Sequence, residues 1–349
     1  MKALVYTAPE EMTLMECPAP VPGPDEVLIR VVYSGICGSE LSGYMGHNSL
    51  RKPPMIFGHE LSGTIEIAGP EGEALGLRAG MRVTANPLVT CGKCRYCLAG
   101  QESLCPERKL LSAALPGSNA EFVKVPAAFV HPLPDHVTLA DGALTEPVAC
   151  GARVAELTAA GPEDTVLVVG MGPIGVFALQ AVLLSGAGRV IAVDLSEDRL
   201  SFASSLGAIA VNPRTEDLAA RIRELTGGLG VSAAIDAVGA AETRRQCADS
   251  VMNGGRLVFT GLHRADTALD FNDLVRRELK IAGSFAYSKA NFKQAFDWIA
   301  EGRIGLGDRI EIAPLADGAK WFDKLVRAPG REIKVLLQVS ESPDATSYR

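Results

Sequence analysis

The chain has 349 residues, a length that predicts two domains and a sizeable hydrophobic core. It carries 41 acidic and 34 basic side chains, a formal net charge of −7, whereas a protein whose main partner is nucleic acid or an anionic membrane needs a basic face. We therefore expect neither nucleic acid nor a membrane as partner, and the apolar share of 47% is that of a globular protein.

The eight cysteines are predicted to stay reduced. The N-terminal segment lacks the long apolar core and the small-residue cleavage site of a secretory signal, so we expect a cytoplasmic chain without disulfides. One uncharged run, from Thr165 to Gly188, is long enough to cross a bilayer as a single helix. Five glycines and Pro173 interrupt this run, which favours a strand, a turn and a helix instead.

The first part of the chain, to about residue 148, has the pattern of a β-rich domain. Short alternating runs bounded by turn residues predict strands at 26–33, 61–67 and 120–125. The connections between these runs contain many prolines and are expected to be irregular.

After about residue 151 the pattern changes to alternating strands and helices. The predicted strands lie at 166–169, 190–193, 233–237 and 256–260. The predicted helices lie at 174–184, 198–206, 216–225 and 242–252, followed by a helix at 291–301 and a final strand at 334–339. Because parallel strands need crossover connections, this alternation predicts an α/β fold, a parallel sheet with helices on both faces.

A glycine-rich turn follows the first strand of this second part. Its sequence, Gly170-Met-Gly172-Pro-Ile-Gly175, is G-x-G-x-x-G between a strand and an apolar helix, the context that a dinucleotide-binding turn requires. Gly170 permits the tight turn, Gly172 lets the backbone approach a pyrophosphate, and Gly175 lets the helix pack on the strand. The helix start, at Pro173 and Ile174, offers a partial positive charge to the phosphates.

An acidic residue ends the next strand. Asp194 stands where a carboxylate accepts hydrogen bonds from the adenosine ribose and repels a 2′-phosphate, which favours NAD over NADP. The alternative is a structural aspartate that caps Ser196 or the following helix. Arg199 either contacts the ribose or lines a solvated helix face.

Four cysteines lie close together in one loop. Thiolates at the spacing of Cys91, Cys94, Cys97 and Cys105 can meet one ion if the loop folds around it, and four sulfur ligands make a closed structural zinc site. A disulfide or a redox pair is the alternative. The acidity of the chain tells against a zinc ribbon that binds nucleic acid.

A second set of metal-binding residues is dispersed along the chain. Cys37 lies in G-I-C-G-S-E, His59 in F-G-H-E-L and Glu146 in L-T-E-P-V. Cysteine, histidine and glutamate form a mixed ligand set that can bind zinc and leave one position open for substrate or water. Taken alone, His59 equally fits an ordinary core or surface histidine.

Together these motifs resemble the zinc-containing medium-chain dehydrogenase/reductase family, which includes alcohol, sorbitol and threonine dehydrogenases. The resemblance rests on six ordered motifs: G-I-C-G-S, G-H-E, the four-cysteine lobe, E-P, G-M-G-P-I-G and D-A-V-G. It implies a GroES-like catalytic domain at 1–150 and 288–349, with the structural zinc lobe at 88–107. It also implies a Rossmann domain with a doubly wound parallel sheet, which binds the cofactor, at 151–287.

The resemblance further implies the ligands of a catalytic zinc, which makes two zinc ions per chain. Cys37, His59 and Glu146 would hold this zinc, and Glu60 would lie beside it as an outer or exchanging ligand. Glu146 stands where typical alcohol dehydrogenases carry a cysteine, as in the polyol dehydrogenase branch. Ser39 resembles the hydroxyl that passes the proton of the substrate toward the nicotinamide ribose.

The chain departs from the family pattern at Ser42, where many relatives have a histidine that accepts the proton in the last step. The proton must leave by another route, and His47 is either part of that route or an ordinary loop histidine. Cofactor contacts are implied at Val238, Gly261 and Phe285, although Phe285 alternatively packs at the domain interface.

The predicted activity is that of an NAD-dependent zinc alcohol or polyol dehydrogenase. It would transfer a hydride from a secondary alcohol of a polyol or sugar, free or phosphorylated, and give a ketone. Arg51 and Lys52 either bind a substrate phosphate or form a solvated charge pair. The alternatives are a threonine- or aldose-type dehydrogenase of the same family, and a non-catalytic nucleotide-binding protein that retains only structural zinc. The family implies a homodimer or a homotetramer.

Overall fold

The structure is a computed structural model that describes residues 1–328 and 330–342. It divides into two compact units. The first contains Met1–Glu146 and the chain from Ala295 onward, and the second contains Pro147–Gln294. The predicted domain boundaries, at 150/151 and 287/288, stay a prediction, and the last residues of the predicted catalytic domain, 343–349, lie outside the described part.

The strands are, in chain order, β1 (Lys2–Ala8), β2 (Glu11–Glu16), β3 (Glu26–Gly35), β4 (Met55–Ile56), β5 (Glu60–Ala68), β6 (Arg82–Ala85), β7 (Leu88–Val89), β8 (Lys109–Leu110), β9 (Phe122–Pro126), β10 (Val130–Pro132), β11 (Thr165–Val169), β12 (Arg189–Val193), β13 (Ile209–Val211), β14 (Val231–Asp236), β15 (Val251–Phe259), β16 (Lys280–Gly283), β17 (Ile310–Pro314) and β18 (Lys334–Gln338).

The α-helices are α1 (Gly38–Tyr44), α2 (Pro70–Ala74), α3 (Arg95–Leu98), α4 (Leu139–Ala143), α5 (Thr145–Thr158), α6 (Pro173–Leu184), α7 (Glu197–Ser205), α8 (Leu218–Thr226), α9 (Ala241–Ser250), α10 (Phe271–Arg276), α11 (Lys289–Ala300) and α12 (Gly318–Arg327). Short 3₁₀ turns cover Glu102–Leu104, Ala127–Phe129, Gly307–Arg309 and Leu315–Asp317. Within the described residues, no helix has the length and apolar character needed to cross a membrane.

The first unit is built around β3. Its main sheet has the order β10-β6-β5-β3-β18-β17, and β9 also pairs with β3. β3 is antiparallel to β5, β9 and β18, and in its pairing with β5 Gly35 lies opposite Glu60. The strands predicted at 26–33, 61–67 and 120–125 are confirmed as β3, β5 and β9. A sheet β2-β1-β4 and a pair β7-β8 complete the strands of this unit.

Alternation along β3 explains the core of this unit. Val27, Ile29 and Val31 are fully buried in one apolar cluster, because residues two apart in a strand lie on the same face. A second cluster contains Phe57 and Phe322, whose ring centroids are 5.9 Å apart. Phe322 lies on α12, a helix that the sequence patterns did not predict. Each such side chain contributes roughly 1.5–3 kcal/mol on full burial.

The second unit is a six-stranded parallel sheet with the order β13-β12-β11-β14-β15-β16. The order runs outward in both directions from β11 and β14, so the predicted doubly wound sheet is confirmed. Runs such as T-V-L-V-V in β11 are almost fully buried, as expected where helices cover both faces. The strands β13 and β16 are short and were not predicted.

Candidate functional site

Three side chains with metal-binding donor atoms come together in the first unit. Cys37 directly precedes α1, and His59 and Glu60 stand at the start of β5. Because Gly35 of β3 lies opposite Glu60, the chain that leaves β3 passes the start of β5. The donor atoms of Cys37, His59 and Glu60 all lie within 4.8 Å of one another. A thiolate, an imidazole and a carboxylate are ligands that zinc accepts, so this group fits the metal.

A buried carboxylate holds the ring of His59. Glu40 is fully buried, and its Oε1 accepts hydrogen bonds from His59 Nδ1 at 2.7 Å and from Ser112 Oγ at 2.6 Å. Burial raises the pKa of Glu40, but the charge of His59, its hydrogen bond and the charge of Arg51 outweigh burial and lower the pKa to about 2. The ionised Glu40 fixes Nδ1 and leaves Nε2 as the ring nitrogen for a metal.

A buried ion pair holds Glu60. Lys334, the first residue of β18, places Nζ 2.7 Å from Glu60 Oε1 and 2.6 Å from Oε2, and donates to the carbonyl oxygen of Ile36 at 3.0 Å. Both side chains are 1% exposed. Burial lowers the pKa of Lys334, but the negative charges of Glu60 and Cys37 raise it above its usual value. Removing either partner would leave a buried charge, at a cost of about 3–5 kcal/mol.

Glu146 lies in the first turn of α5 and is 7% exposed. Its charge contributes to the raised pKa of Lys334, so it lies in the same electrostatic surroundings. Within the described residues, the group whose donor atoms lie within 4.8 Å contains Cys37, His59 and Glu60 and does not contain Glu146. The role of Glu146 as a zinc ligand therefore stays a prediction.

The hydroxyl of Ser39 is held between Cys37 and Arg51. Ser39 Oγ donates to Cys37 Sγ at 3.3 Å and accepts from Arg51 Nη2 at 3.1 Å. Arg51 is only 4% exposed, and its Nε donates to Ser112 Oγ at 3.4 Å. The solvated charge pair considered for Arg51 is therefore wrong, because the neighbouring Lys52 is exposed but Arg51 is buried among these hydroxyls.

Sequence patterns did not assign Lys334 or Ser112 to this site, and they considered Arg51 only as a ligand of a substrate phosphate or as part of a solvated charge pair. Lys334 opens an apolar strand, and its place at the head of the run K-V-L-L-Q is the one local signal of its burial. Ser112 has a φ of 67°, which is uncommon for a residue other than glycine. That backbone conformation cannot be read from the sequence.

The four-cysteine loop forms a compact cluster. The donor atoms of Cys91, Cys94, Cys97 and Cys105 lie within 4.8 Å of one another, and Cys94 and Cys97 Sγ are 3.6 Å apart. The four cysteines are free thiols, so the disulfide alternative is not observed. Backbone N–H groups of Lys93 and Cys94 lower the pKa of Cys91 to about 7. Four converging sulfur atoms, one of them readily ionised, fit a structural zinc ion.

The glycine turn of the second unit has the conformation that its sequence predicts. Gly170 has a φ of 95°, and Gly172 directly precedes α6, which begins at Pro173. A Cβ atom on Gly175 would lie 1.6 Å from the carbonyl oxygen of Gly170, whereas one on Gly172 would meet nothing within 4 Å. Position 175 therefore requires glycine. At Gly172 the space in front of the helix start, which is formed by Pro173 and Ile174, is open. This open helix start fits a pyrophosphate.

Asp194 lies beside this turn. Its Oδ2 accepts from Met171 N at 2.6 Å and its Oδ1 from Ser196 N at 2.9 Å, so it supports the turn itself. A carboxylate has about four acceptor positions, which leaves capacity for ribose hydroxyls. Among the residues that the structure describes, the buried Nε atom of Arg199 has no hydrogen-bond partner, so the solvated-face interpretation does not describe this atom.

The remaining predicted cofactor residues lie at the carboxyl ends of neighbouring strands. Val238 follows β14, Gly261 follows β15 and Phe285 follows β16. Val238 is 36% and Phe285 43% exposed. A Cβ atom on Gly170 would lie 2.4 Å from Val238 Cγ2, so this edge of the sheet adjoins the glycine turn. The cofactor contacts themselves stay predictions.

Family models and known proteins match both units of the chain. The chain matches the model of the alcohol dehydrogenase GroES-like domain over residues 23–135 and that of the zinc-binding dehydrogenase over residues 173–301. It is 32% identical over 347 residues to the D-arabitol-phosphate dehydrogenase of Enterococcus avium, with 97% of each chain covered. It is 33% identical over 311 residues to the sorbitol dehydrogenase of Bacillus subtilis, with 87% of each covered. The chain belongs to the zinc-containing medium-chain dehydrogenase/reductase family.

Solved structures agree with this assignment. The dehydrogenase is similar to an alcohol dehydrogenase from Escherichia coli CFT073 complexed with NADH, with a TM-score of 0.89, 28% identity and coverage of 97% of this chain and 99% of that one. It is also similar to a zinc-binding dehydrogenase from Sinorhizobium meliloti 1021 bound to NADP, with a TM-score of 0.87, 29% identity and coverage of 97% and 98%. The predicted GroES-like and Rossmann parts are confirmed, and the dehydrogenase belongs to a family of oxidoreductases that act on CH–OH groups.

Proposed function

We propose that this dehydrogenase oxidises a secondary hydroxyl group of a polyol or sugar alcohol to a ketone, with NAD as the hydride acceptor. The observation that carries the proposal is the group of Cys37, His59 and Glu60, whose donor atoms lie within 4.8 Å of one another. The names of the relatives that act on D-arabitol phosphate and sorbitol support a polyol as the substrate. We also propose two zinc ions per chain, one held by Cys37, His59 and Glu146 with Glu60 beside it, and one in the four-cysteine cluster.

The residues of the first unit have distinct proposed roles. Cys37, His59 and Glu146 would hold the zinc ion, which would supply a Lewis acid for the substrate hydroxyl, and NAD bound to the second unit would supply the hydride acceptor. Glu60, neutralised by Lys334, lies beside the ligands and can exchange with one of them. Glu40 keeps the His59 ring in one orientation.

Ser39 is the proposed first acceptor of the substrate proton. A hydroxyl has one proton and two lone pairs, and Arg51 occupies one lone pair of Ser39 Oγ. The other lone pair can receive the substrate proton while the hydroxyl turns from Cys37 Sγ and releases its own proton toward the nicotinamide ribose. Arg51 orients this hydroxyl and cannot itself take up the proton, because arginine stays charged in proteins.

A substrate panel tests the proposed function. We expect NADH formation, followed by its absorbance, with secondary alcohols of free or phosphorylated polyols, and little with threonine or aldoses. Parallel assays of sorbitol, arabitol and their phosphates distinguish the free from the phosphorylated class. Activity restricted to threonine would refute the polyol proposal, and a lack of NADH binding would refute the cofactor.

Replacing Asp194 is expected to weaken the preference for NAD. Asp194→Asn keeps the shape of the side chain and one acceptor oxygen but removes the charge that repels a 2′-phosphate. A hydrogen bond to a charged group contributes about 1.5–3 kcal/mol, so the ratio of kcat/KM for NAD to that for NADP should fall by roughly 10- to 100-fold. The control, Asp198→Asn, removes an exposed charge in the first turn of α7 and should leave the ratio unchanged. An unchanged ratio in Asp194→Asn would count against the ribose role.

A further inference from the structure

A buried carboxylate shapes the loop that follows β14. Asp236, the last residue of this strand, is fully buried. Its Oδ1 accepts from Val238 N and Gly239 N, both at 3.0 Å, and its Oδ2 also accepts from Gly239 N at 3.0 Å. The side chain of Asp236 therefore folds the chain tightly at the carboxyl end of the strand.

An arginine on α9 connects this carboxylate to the loop after β15. Arg244 places Nε 3.7 Å from Asp236 Oδ2. Its Nη1 donates to Thr267 Oγ1 at 2.8 Å, and its Nη2 donates to the carbonyl oxygens of Arg264 at 2.8 Å and Gly261 at 3.4 Å. One guanidinium group thus holds three points of the loop 261–267.

The two loops are also in direct backbone contact. A Cβ atom on Gly239 would lie 2.3 Å from the carbonyl carbon of Gly261, and one on Gly261 would lie 2.2 Å from Gly239 N. Arg264 N donates to Gly239 O at 2.9 Å. Because glycine at both positions permits this approach, a displacement of one loop must displace the other.

The position of these loops in the sheet suggests what they face. In a doubly wound sheet the dinucleotide lies outside the carboxyl ends of the strands, across the point where the strand order reverses, and each half of the sheet binds one nucleotide. That point lies between β11 and β14. Asp194 ends β12 in the half proposed to hold the adenosine, so the loops after β14 and β15 belong to the nicotinamide half. Val238 and Leu262, 36% and 75% exposed, give these loops an apolar surface suited to a ring.

We propose that the ion pair of Asp236 and Arg244, whose side chains are 0% and 14% exposed, positions the two loops that receive the nicotinamide half of the cofactor. Both are positioning residues, because their side chains bond to the loops. The inference rests on the proposed use of NAD and adds the residues that hold its reactive end. It predicts that loss of the pair weakens binding of the nicotinamide nucleotide and leaves binding of the adenosine half intact.

Two ligands distinguish the contribution of the nicotinamide ring from that of the rest of the cofactor. NADH contains both nucleotides, whereas ADP-ribose lacks only the nicotinamide ring, and the affinity of each can be measured by isothermal titration with the full-length protein. We expect Arg244→Met to weaken NADH binding at least 10-fold and to change ADP-ribose binding less than twofold. The control, Arg245→Met, removes the next arginine along α9, whose ion pair with Glu242 is largely exposed, and should change neither affinity.

A milder variant covers the case in which Arg244→Met impairs folding. Thr267→Val removes the acceptor of Arg244 Nη1 together with the local hydrogen bond from Thr267 Oγ1 to Asp266 O, and should weaken NADH binding two- to fivefold at constant affinity for ADP-ribose. Unchanged NADH affinity in both variants, or an equal loss for both ligands, overturns the proposal. If the wild-type protein binds ADP-ribose and NADH with equal affinity, the nicotinamide-side role is likewise overturned. If it binds neither, the proposed cofactor itself is wrong.

Discussion

Cys37→Ser is expected to remove one of two zinc ions per chain and to abolish turnover while the fold persists. Serine is not readily ionised and is a weak zinc ligand compared with a thiolate, and Cys37 lies at the half-exposed start of a short helix rather than in the core. Without the Lewis acid, stabilisation of several kcal/mol at the substrate oxygen is lost. A loss of about 4 kcal/mol corresponds to a rate reduced about 10³-fold.

Zinc content by elemental analysis and NADH formation measure this effect together. Cys17→Ser is the matched control, since Cys17 is a partly exposed free thiol outside both metal-binding groups, and it should keep two zinc ions and full activity. An active wild-type protein that contains one zinc ion would refute the catalytic assignment. So would a Cys37→Ser variant that retains both ions.

The second large effect is expected for Cys97→Ser, and it concerns stability. A metal ion that joins Cys91 to Cys105 closes a loop of fifteen residues, and a crosslink over a loop of this length is worth about 3 kcal/mol. Metal-binding free energy becomes folding free energy when the site forms only in the folded chain. A loss of about 3 kcal/mol should lower the Tm by roughly 6–12 °C in a domain of this size.

Thermal unfolding followed by circular dichroism, with zinc content measured on the same samples, tests this prediction. The Cys97→Ser variant should lose one zinc ion and retain the ion bound near Cys37. The Cys17→Ser control should unfold at the wild-type temperature. A variant that lacks the zinc ion but melts at the wild-type temperature would show that the lobe orders without metal.

Features that depend on neighbouring residues could be predicted from the sequence. The strand-turn-helix around Gly170 has a local pattern, because tight turns require glycine and the following helix is apolar. The four-cysteine cluster is predictable for the same reason, since its ligands span one loop. Cys37 and His59 are separated by more sequence but flank β3 and β5, so the pairing of two predicted strands brings them together.

Features that depend on distant pairings could not be predicted. Lys334 meets Glu60 across 274 residues, and no local pattern specifies which buried acid a lysine will reach. Arg51 was considered with Lys52 because they are adjacent in sequence, but only the folded chain shows that one is buried and the other exposed. The joint role of Arg244 and Asp236 could not be predicted either. The sequence places Arg244 in a predicted helix and Asp236 in the D-A-V-G motif, but their contact depends on how the loops after β14 and β15 fold.

The place of β18 in the main sheet affects the order in which contacts form while the chain is synthesised. This strand lies between β3 and β17, yet it is synthesised long after β3, since Lys334 follows Ile36 by 298 residues. Until it docks, the carboxylate of Glu60 has no ammonium group beside it, and the edge of β3 near Gly35 is unpaired. Contacts of such long sequence separation form late. The metal-binding group of the first unit therefore stays incomplete until β18 has been synthesised, and a chain truncated before Lys334 would lack the ammonium group that pairs with Glu60.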